Sequence, residues 1–200
     1  MLNSRVAYRV YSDVFSPDDC VKIEEAARKR PKLTGKVAEE GVKQPEIVNR
    51  EIRDSDIYFF AEEWIARKIQ EVVVRANTDA GWNLNVTDLE PFQFGEYGTG
   101  GYYDWHLDSL GEPYTDKGRL TGKVRKLSMS VLINDPGEFE GGEFEVSSGY
   151  RDNRPVEKVV ELEKPGDVVV FPSVLAHRVR PVTKGTRKSL VCWILGPPYT

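Results

Sequence analysis

The sequence predicts an α+β domain, helical in its first third and built from strands as a sandwich or jelly roll beyond it. Three observations carry this. Between Ser16 and about Asn77 apolar residues recur at helical spacing. From Trp82 onward, short β-branched and aromatic runs alternate with Gly, Pro and Asn turns. The helical stretch precedes the strands instead of interleaving with them, which argues for helices packed on one sheet. The 200 residues suit a single domain over 1–200, with helical support in 1–80 and a jelly-roll core in 82–197.

The first helix opens at Ser16-Pro17-Asp18-Asp19: an N-cap, proline at the first helical position and acid in the first turn. Residues 31–50 are polar, with Pro31, Gly35, Gly41 and Pro45, and read as a long loop, either a functional one such as a lid or a simply mobile one. The second helix is expected from about Asp54 to Asn77, on the stripe Ile57, Phe60, Trp64, Ile65, Ile69, Val72, Val73 and Ala76. Eight strands follow: 89–94, 102–107, 127–133, 143–146, 156–162, 167–171, 176–182 and 188–195. The basic, glycine-containing segment 109–126 follows the candidate ligands directly. It reads either as the border of a substrate channel or as a solvated loop.

Net charge is −4, which gives no whole-surface attraction to nucleic acid or anionic membrane. No apolar run approaches the ~18 residues a membrane span needs. Met1 to Tyr8 holds no signal-peptide core, and Cys20 and Cys192 are too far apart for a disulfide framework. A reducing cytoplasm is therefore expected, with Cys192 a buried thiol.

The chain has only 2 histidines, His106 and His177. His106 stands in Tyr103-Asp104-Trp105-His106-Leu107-Asp108 and His177 in Leu175-Ala176-His177-Arg178. On a strand, residues i and i+2 share a face, so His106 and Asp108 can chelate one ion, with His177 arriving from a later strand. Two imidazoles and a carboxylate leave positions open for a bidentate 2-keto acid and O2, the pattern of a non-haem iron oxygenase. Zinc is the alternative metal. His-x-Asp alone equally describes a turn.

Arg187 shifts that balance. With Thr183-Lys184-Gly185 as a three-residue hairpin loop, Val182 would face Thr186 and Pro181 would face Arg187. In that register His177, Arg187, Ser189, Val191 and Trp193 share one face. An inward arginine needs an anion, and the distal carboxylate of 2-oxoglutarate suits its planar fork. The alternative is a sheet-edge arginine paired with a surface acid.

The run Tyr97 to Asp108 fits Y-x-x-G-x-x-Y-x-x-H-x-D. With His177, Arg187, Trp193, Gly137 to Phe144 and Pro165 to Pro172, it resembles the Fe(II)/2-oxoglutarate dioxygenases of the prolyl 4-hydroxylase-like branch over residues 89–196. The resemblance implies a double-stranded β-helix and a hydroxylase. It implies iron held by His106, Asp108 and His177, with 2-oxoglutarate and O2 as cosubstrates and ascorbate as an auxiliary reductant. Arg187 would hold the C5 carboxylate, Tyr97 would hydrogen-bond it and Trp193 would wall the keto acid. The tyrosine that some members carry on the strand 127–133 is missing here. The presence of Asp108 disfavours the related halogenases.

Three readings stay open: a prolyl or other peptidyl hydroxylase, the same chemistry on a small molecule such as free proline, and a non-enzymatic jelly-roll binding module. Nucleic-acid substrates are disfavoured by the acidic total and by the lack of a base-stacking motif. No membrane partner is expected, and the oligomeric state is left open.

Overall fold

The computed structural model describes residues 7–34, 53–147, 156–159 and 161–199. In chain order the elements begin with β1 (Arg9–Tyr11), α1 (Pro17–Arg28), β2 (Leu33–Thr34), β3 (Arg53–Asp54), β4 (Asp56–Phe60) and α2 (Glu63–Asp79). Then come β5 (Asp88–Leu89), β6 (Phe92–Tyr97), β7 (Tyr102–His106), β8 (Val124–Leu132), β9 (Phe139–Gly141) and β10 (Phe144–Ser147). The chain closes with β11 (Val156–Lys158), β12 (Val168–Pro172), β13 (Ala176–Val179), β14 (Val182–Gly185) and β15 (Arg187–Gly196).

A larger sheet runs β1-β12-β8-β15-β6-β4-β2, with β5 also on β15, and a smaller one runs β11-β10-β13-β7-β3. Every pairing is antiparallel. The two sheets face each other as the jelly roll expected, and the helices cover the outer face of the larger one.

Period-two alternation builds both faces of that larger sheet. Phe92 and Phe94, Leu190, Cys192 and Ile194, and Val168 and Val170 point to the helices. Ile23 and Ala27 of α1 and Ile65, Ile69, Val73 and Ala76 of α2 meet them there. The intervening Gln93 and Tyr97 on β6, and Ser189, Val191 and Trp193 on β15, line a cavity between the sheets. Val169 and Phe171 join Tyr97, Phe144, Val146, Val179 and Val182 in a second apolar cluster on that side.

The α1 cap forms as expected: Ser16 Oγ accepts from Asp19 N, and Asp19 returns the bond to Ser16 N, each at 3.1 Å. The start of α2 is corrected from Asp54 to Glu63. Residues 53–54 and 56–60 are strand, β4 pairing with β6 from Asp56↔Glu96 to Phe60↔Phe92. Ile57, Phe60 and Trp64 also fit helical spacing, but a β-rich aromatic run beside an open sheet edge gains a full ladder as strand. Among the described residues, the first third thus supplies four strands as well as two helices.

The hairpin at 183–185 is also corrected. Val182 pairs with Gly141 of β9, not with Thr186, and β15 starts afresh at Arg187 between β6 and β8. The chain changes sheets at Thr186. Gly185 does take the left-handed conformation, φ +73, since a Cβ there would meet Glu138 O at 2.0 Å. His177 and Arg187 therefore sit on facing sheets, not on one. The expected strand 176–182 divides into β13 and β14, and 156–162 is strand only to Lys158. Of the loop 31–50, residues 35–50 lie outside the described residues. Among the described residues no helix is long and apolar enough to cross a membrane.

Candidate metal centre

β7 and β13 pair His106 directly with His177, and the ring centroids are 4.1 Å apart. β7 stops at His106, so Asp108 is not on the strand with it as expected. Asp108 N and Ser109 N instead both donate to Ser173 O at 3.0 Å, which folds the carboxylate back over the imidazoles. Asp108 Oδ1 lies 3.7 Å from His106 Nε2, and Oδ2 lies 3.4 Å from His177 Nε2. One ligand atom from each residue falls within 4.8 Å of the others, and all three residues are buried.

Both rings are oriented by their own chain. His106 Nδ1 is 2.8 Å from Asp104 O and His177 Nδ1 is 2.9 Å from Leu175 O. A carbonyl only accepts, so each Nδ1 carries the proton and each Nε2 presents a lone pair. Tyr103 stacks on His106 with centroids 3.5 Å apart, and Phe171 lies 4.6 Å from His177. Burial, with the second imidazole, pushes His106 down to about 3, so its ring is neutral. Burial opposes ionisation of Asp108, yet the two imidazoles and Arg125 hold it below the usual carboxylate range.

A divalent cation fits this arrangement. Asp108 Oδ2 is buried without a hydrogen-bond partner. It faces two imidazole lone pairs, and three electron-pair donors turned on one point with no proton among them call for a positive ion. Two imidazoles and one carboxylate suit iron(II) and its neighbours.

The cosubstrate side fits as well. Arg187 is 2% exposed, and its Nη1 is buried without a partner. Burial pulls its pKa down. Its guanidinium lies 6.0 Å from the Tyr97 ring across the β15–β6 ladder. Tyr97 and Trp193 line the same cavity as the His-Asp-His group. Trp193 Nε1 is a further buried donor without a partner. An anion with acceptors at both ends would satisfy groups that the fold leaves unpaired.

Two contributions were missed from the sequence. Tyr103 stood inside the motif with no role assigned, although an aromatic beside a buried ligand histidine has packing value. Arg125 stood in the basic segment 109–126 with no role of its own assigned. Its guanidinium binds Glu90 through Nε and Nη2 at 2.7 and 2.6 Å. It donates to Asp108 O at 3.3 Å and covers the Trp193 ring at 4.0 Å.

Facing antiparallel sheets with two neutral imidazoles and a carboxylate inside define a jelly-roll protein of the non-haem metal class. The chain belongs to the 2OG-Fe(II) oxygenase superfamily, whose family model matches residues 92–195. It is 33% identical over 106 residues to a PKHD-type hydroxylase of Psychrobacter sp. (strain PRwf-1), covering 53% of this chain and 38% of that protein. The match thus spans well under half of that curated relative. A Pseudomonas putida prolyl-4-hydroxylase superposes with TM-score 0.64 at 18% identity, over 94% of this chain and 91% of that one. A Trichoplax adhaerens prolyl hydroxylase, in complex with a hypoxia inducible factor peptide fragment, gives 0.63 at 16%, over 96% and 84%. At such identities these two establish the double-stranded β-helix fold. The family uses Fe(II), 2-oxoglutarate and O2.

Proposed function

We propose that this protein is an Fe(II)- and 2-oxoglutarate-dependent hydroxylase formed by a single domain. His106, Asp108 and His177 hold the iron, while Arg187, Tyr97 and Trp193 hold 2-oxoglutarate. The observation that carries the reading is the facing of Asp108 Oδ2 and two imidazole Nε2 atoms in a cavity lined by Tyr97 and Trp193, with the partnerless Arg187 guanidinium beside Tyr97. Iron with 2-oxoglutarate and O2 supplies oxidation of a substrate C–H bond to C–OH, coupled to decarboxylation of the keto acid to succinate.

The chain's own residues bind, orient and exclude. The Nδ1–carbonyl bonds keep both Nε2 lone pairs on the ion. Arg187 takes the distal carboxylate through parallel hydrogen bonds, with Tyr97 beside it. Tyr103, Phe144, Phe171 and Val179 keep water from the metal's surroundings.

A prolyl or other peptidyl side chain is the substrate this reading favours, in keeping with the hydroxylase relatives. A small molecule is the second reading. The narrowness of the space between the two facing sheets favours it. Ascorbate as reductant and a cytoplasmic setting belong to the same proposal, and the free, buried Cys20 and Cys192 fit a reducing compartment.

The test is succinate formation by protein loaded anaerobically with iron(II) and 2-oxoglutarate, on admission of air, across proline-containing peptides and free amino acids. The wild type should form succinate. Asp108→Ala should form none and should lose Mn(II) binding by calorimetry. Full turnover in Asp108→Ala would refute the ligand set.

A further inference from the structure

Among the described residues, four buried side-chain polar atoms are without a hydrogen-bond partner: Asp108 Oδ2, Arg187 Nη1, Trp193 Nε1 and Arg53 Nη2. The first two are met by the metal and the distal carboxylate, and Trp193 by the keto acid it walls. Arg53 is left over.

Arg53 opens β3 at the rim of the smaller sheet, opposite Tyr103. Ser55 then carries the chain into β4 of the larger sheet, so Arg53 stands where one side of the barrel closes. Its guanidinium is 4.6 Å from the Tyr103 ring centroid. Its Nε donates to Ser55 Oγ at 2.7 Å and its Nη1 to Gln93 Oε1 at 3.3 Å. Tyr103 and Gln93 both line the cavity. The two hydrogen-bond partners are neutral, and among the described residues no carboxylate pairs with Arg53.

An arginine stays charged at any working pH. A half-buried arginine held by two neutral acceptors and an aromatic face, with one buried nitrogen free, is oriented but not neutralised. We propose that Arg53 is a specificity residue whose Nη2 receives a carboxylate of the substrate on the Tyr103 side of the metal. A single free nitrogen suits a small monoanion better than a phosphate, which would call for more donors. The carboxylate comes from a free amino acid or from an acidic residue beside the modified one in a peptide. This inference rests on the hydroxylase reading above.

The test uses the full chain, loaded with Mn(II) and 2-oxoglutarate without oxygen and titrated by calorimetry with matched pairs. One arm compares L-proline with L-prolinamide. The other compares short proline peptides carrying Asp or Asn next to the proline. Wild type should bind the acid of one pair about tenfold or more tighter than its neutral partner, and the responsive arm identifies the source. Arg53→Gln should bring that ratio close to one, and Arg53→Lys should keep part of it. Mn(II) and 2-oxoglutarate affinities should stay at wild-type values in Arg53→Gln. Should that variant unfold, Gln93→Met, which frees only Nη1, must weaken the preference in its place.

Equal binding of acid and amide by wild type in both arms overturns the inference. So does an undiminished preference in Arg53→Gln, or in Gln93→Met where that stands in. A loss of 2-oxoglutarate affinity in Arg53→Gln with the preference intact assigns Arg53 to the cosubstrate and equally overturns it. Failure of wild type to bind Mn(II) and 2-oxoglutarate at all is a different result and sinks the hydroxylase reading itself.

Discussion

Gly142 has no side chain where Arg187 needs the room. Its φ is +66, and a Cβ there would stand 2.9 Å from Arg187 Cδ and 3.0 Å from Val182 Cγ2. An alanine would be strained by its backbone and would push on the arginine stem. Gly142→Ala is expected to raise the 2-oxoglutarate concentration for half-maximal turnover about tenfold, and Arg187→Met about a hundredfold. Both should keep Mn(II) binding by calorimetry, and unchanged cosubstrate demand in Arg187→Met would remove Arg187 from the site. At this scale the sequence was legible where chemistry is scarce: two histidines, one nearby aspartate and an arginine on a late strand. Arg53, Arg125 and Glu90 were not legible, because each has its meaning only through partners distant in the chain.

Elements were legible by period and illegible by partner. Alternation located β6, β8, β12 and β15, since one face had to be apolar against the helices. It carried no information on which strand β14 joins, so a tight hairpin took the place of a change of sheet. Segment 109–126 reads differently once placed. Tyr114 donates to Glu90 at 2.8 Å and Arg119 to Asp88 at 2.8 Å, and Lys123 also pairs with Asp88. These contacts pin the segment along β5 and the start of β6. α1 is pinned likewise: Lys188 Nζ donates to Glu24 at 2.9 Å. Burial would raise the Glu24 pKa, but Lys188 and Arg28 outweigh it and hold the carboxyl below its ordinary 4.5. A depressed folded pKa means the stabilisation is complete above 4.5 and fades as pH falls below it. Glu24→Gln should thus cost about 1 kcal/mol in urea unfolding at neutral pH. Well below pH 4.5 it should cost nothing measurable. An equal cost at both pH values would contradict the pairing.

For the whole molecule, the larger sheet divides labour between its faces. The helix-side cluster, with Phe15, Ile23, Ile65, Ile69, Phe94, Val131 and Leu190 all fully buried, contains none of the proposed ligands. Stability and site are therefore separable. Chelator-treated protein should keep its circular dichroism and a cooperative melt, with the metal adding about 2.7 kcal/mol at a hundredfold excess over Kd. Unfolding on chelation, as in small domains organised by zinc, would show that the helix-side core is insufficient by itself.

The carbonyl anchors at Asp104 and Leu175 fix the two rings before any ion arrives. A socket shaped in advance cannot reshape itself to turn ions away. Copper, nickel and cobalt bind nitrogen and oxygen donors more tightly than ferrous iron does. On the proposed ligand set, what loads the site is thus decided by the supply of free metals around it, and protein purified from a nickel- or copper-rich medium would emerge intact, full and idle.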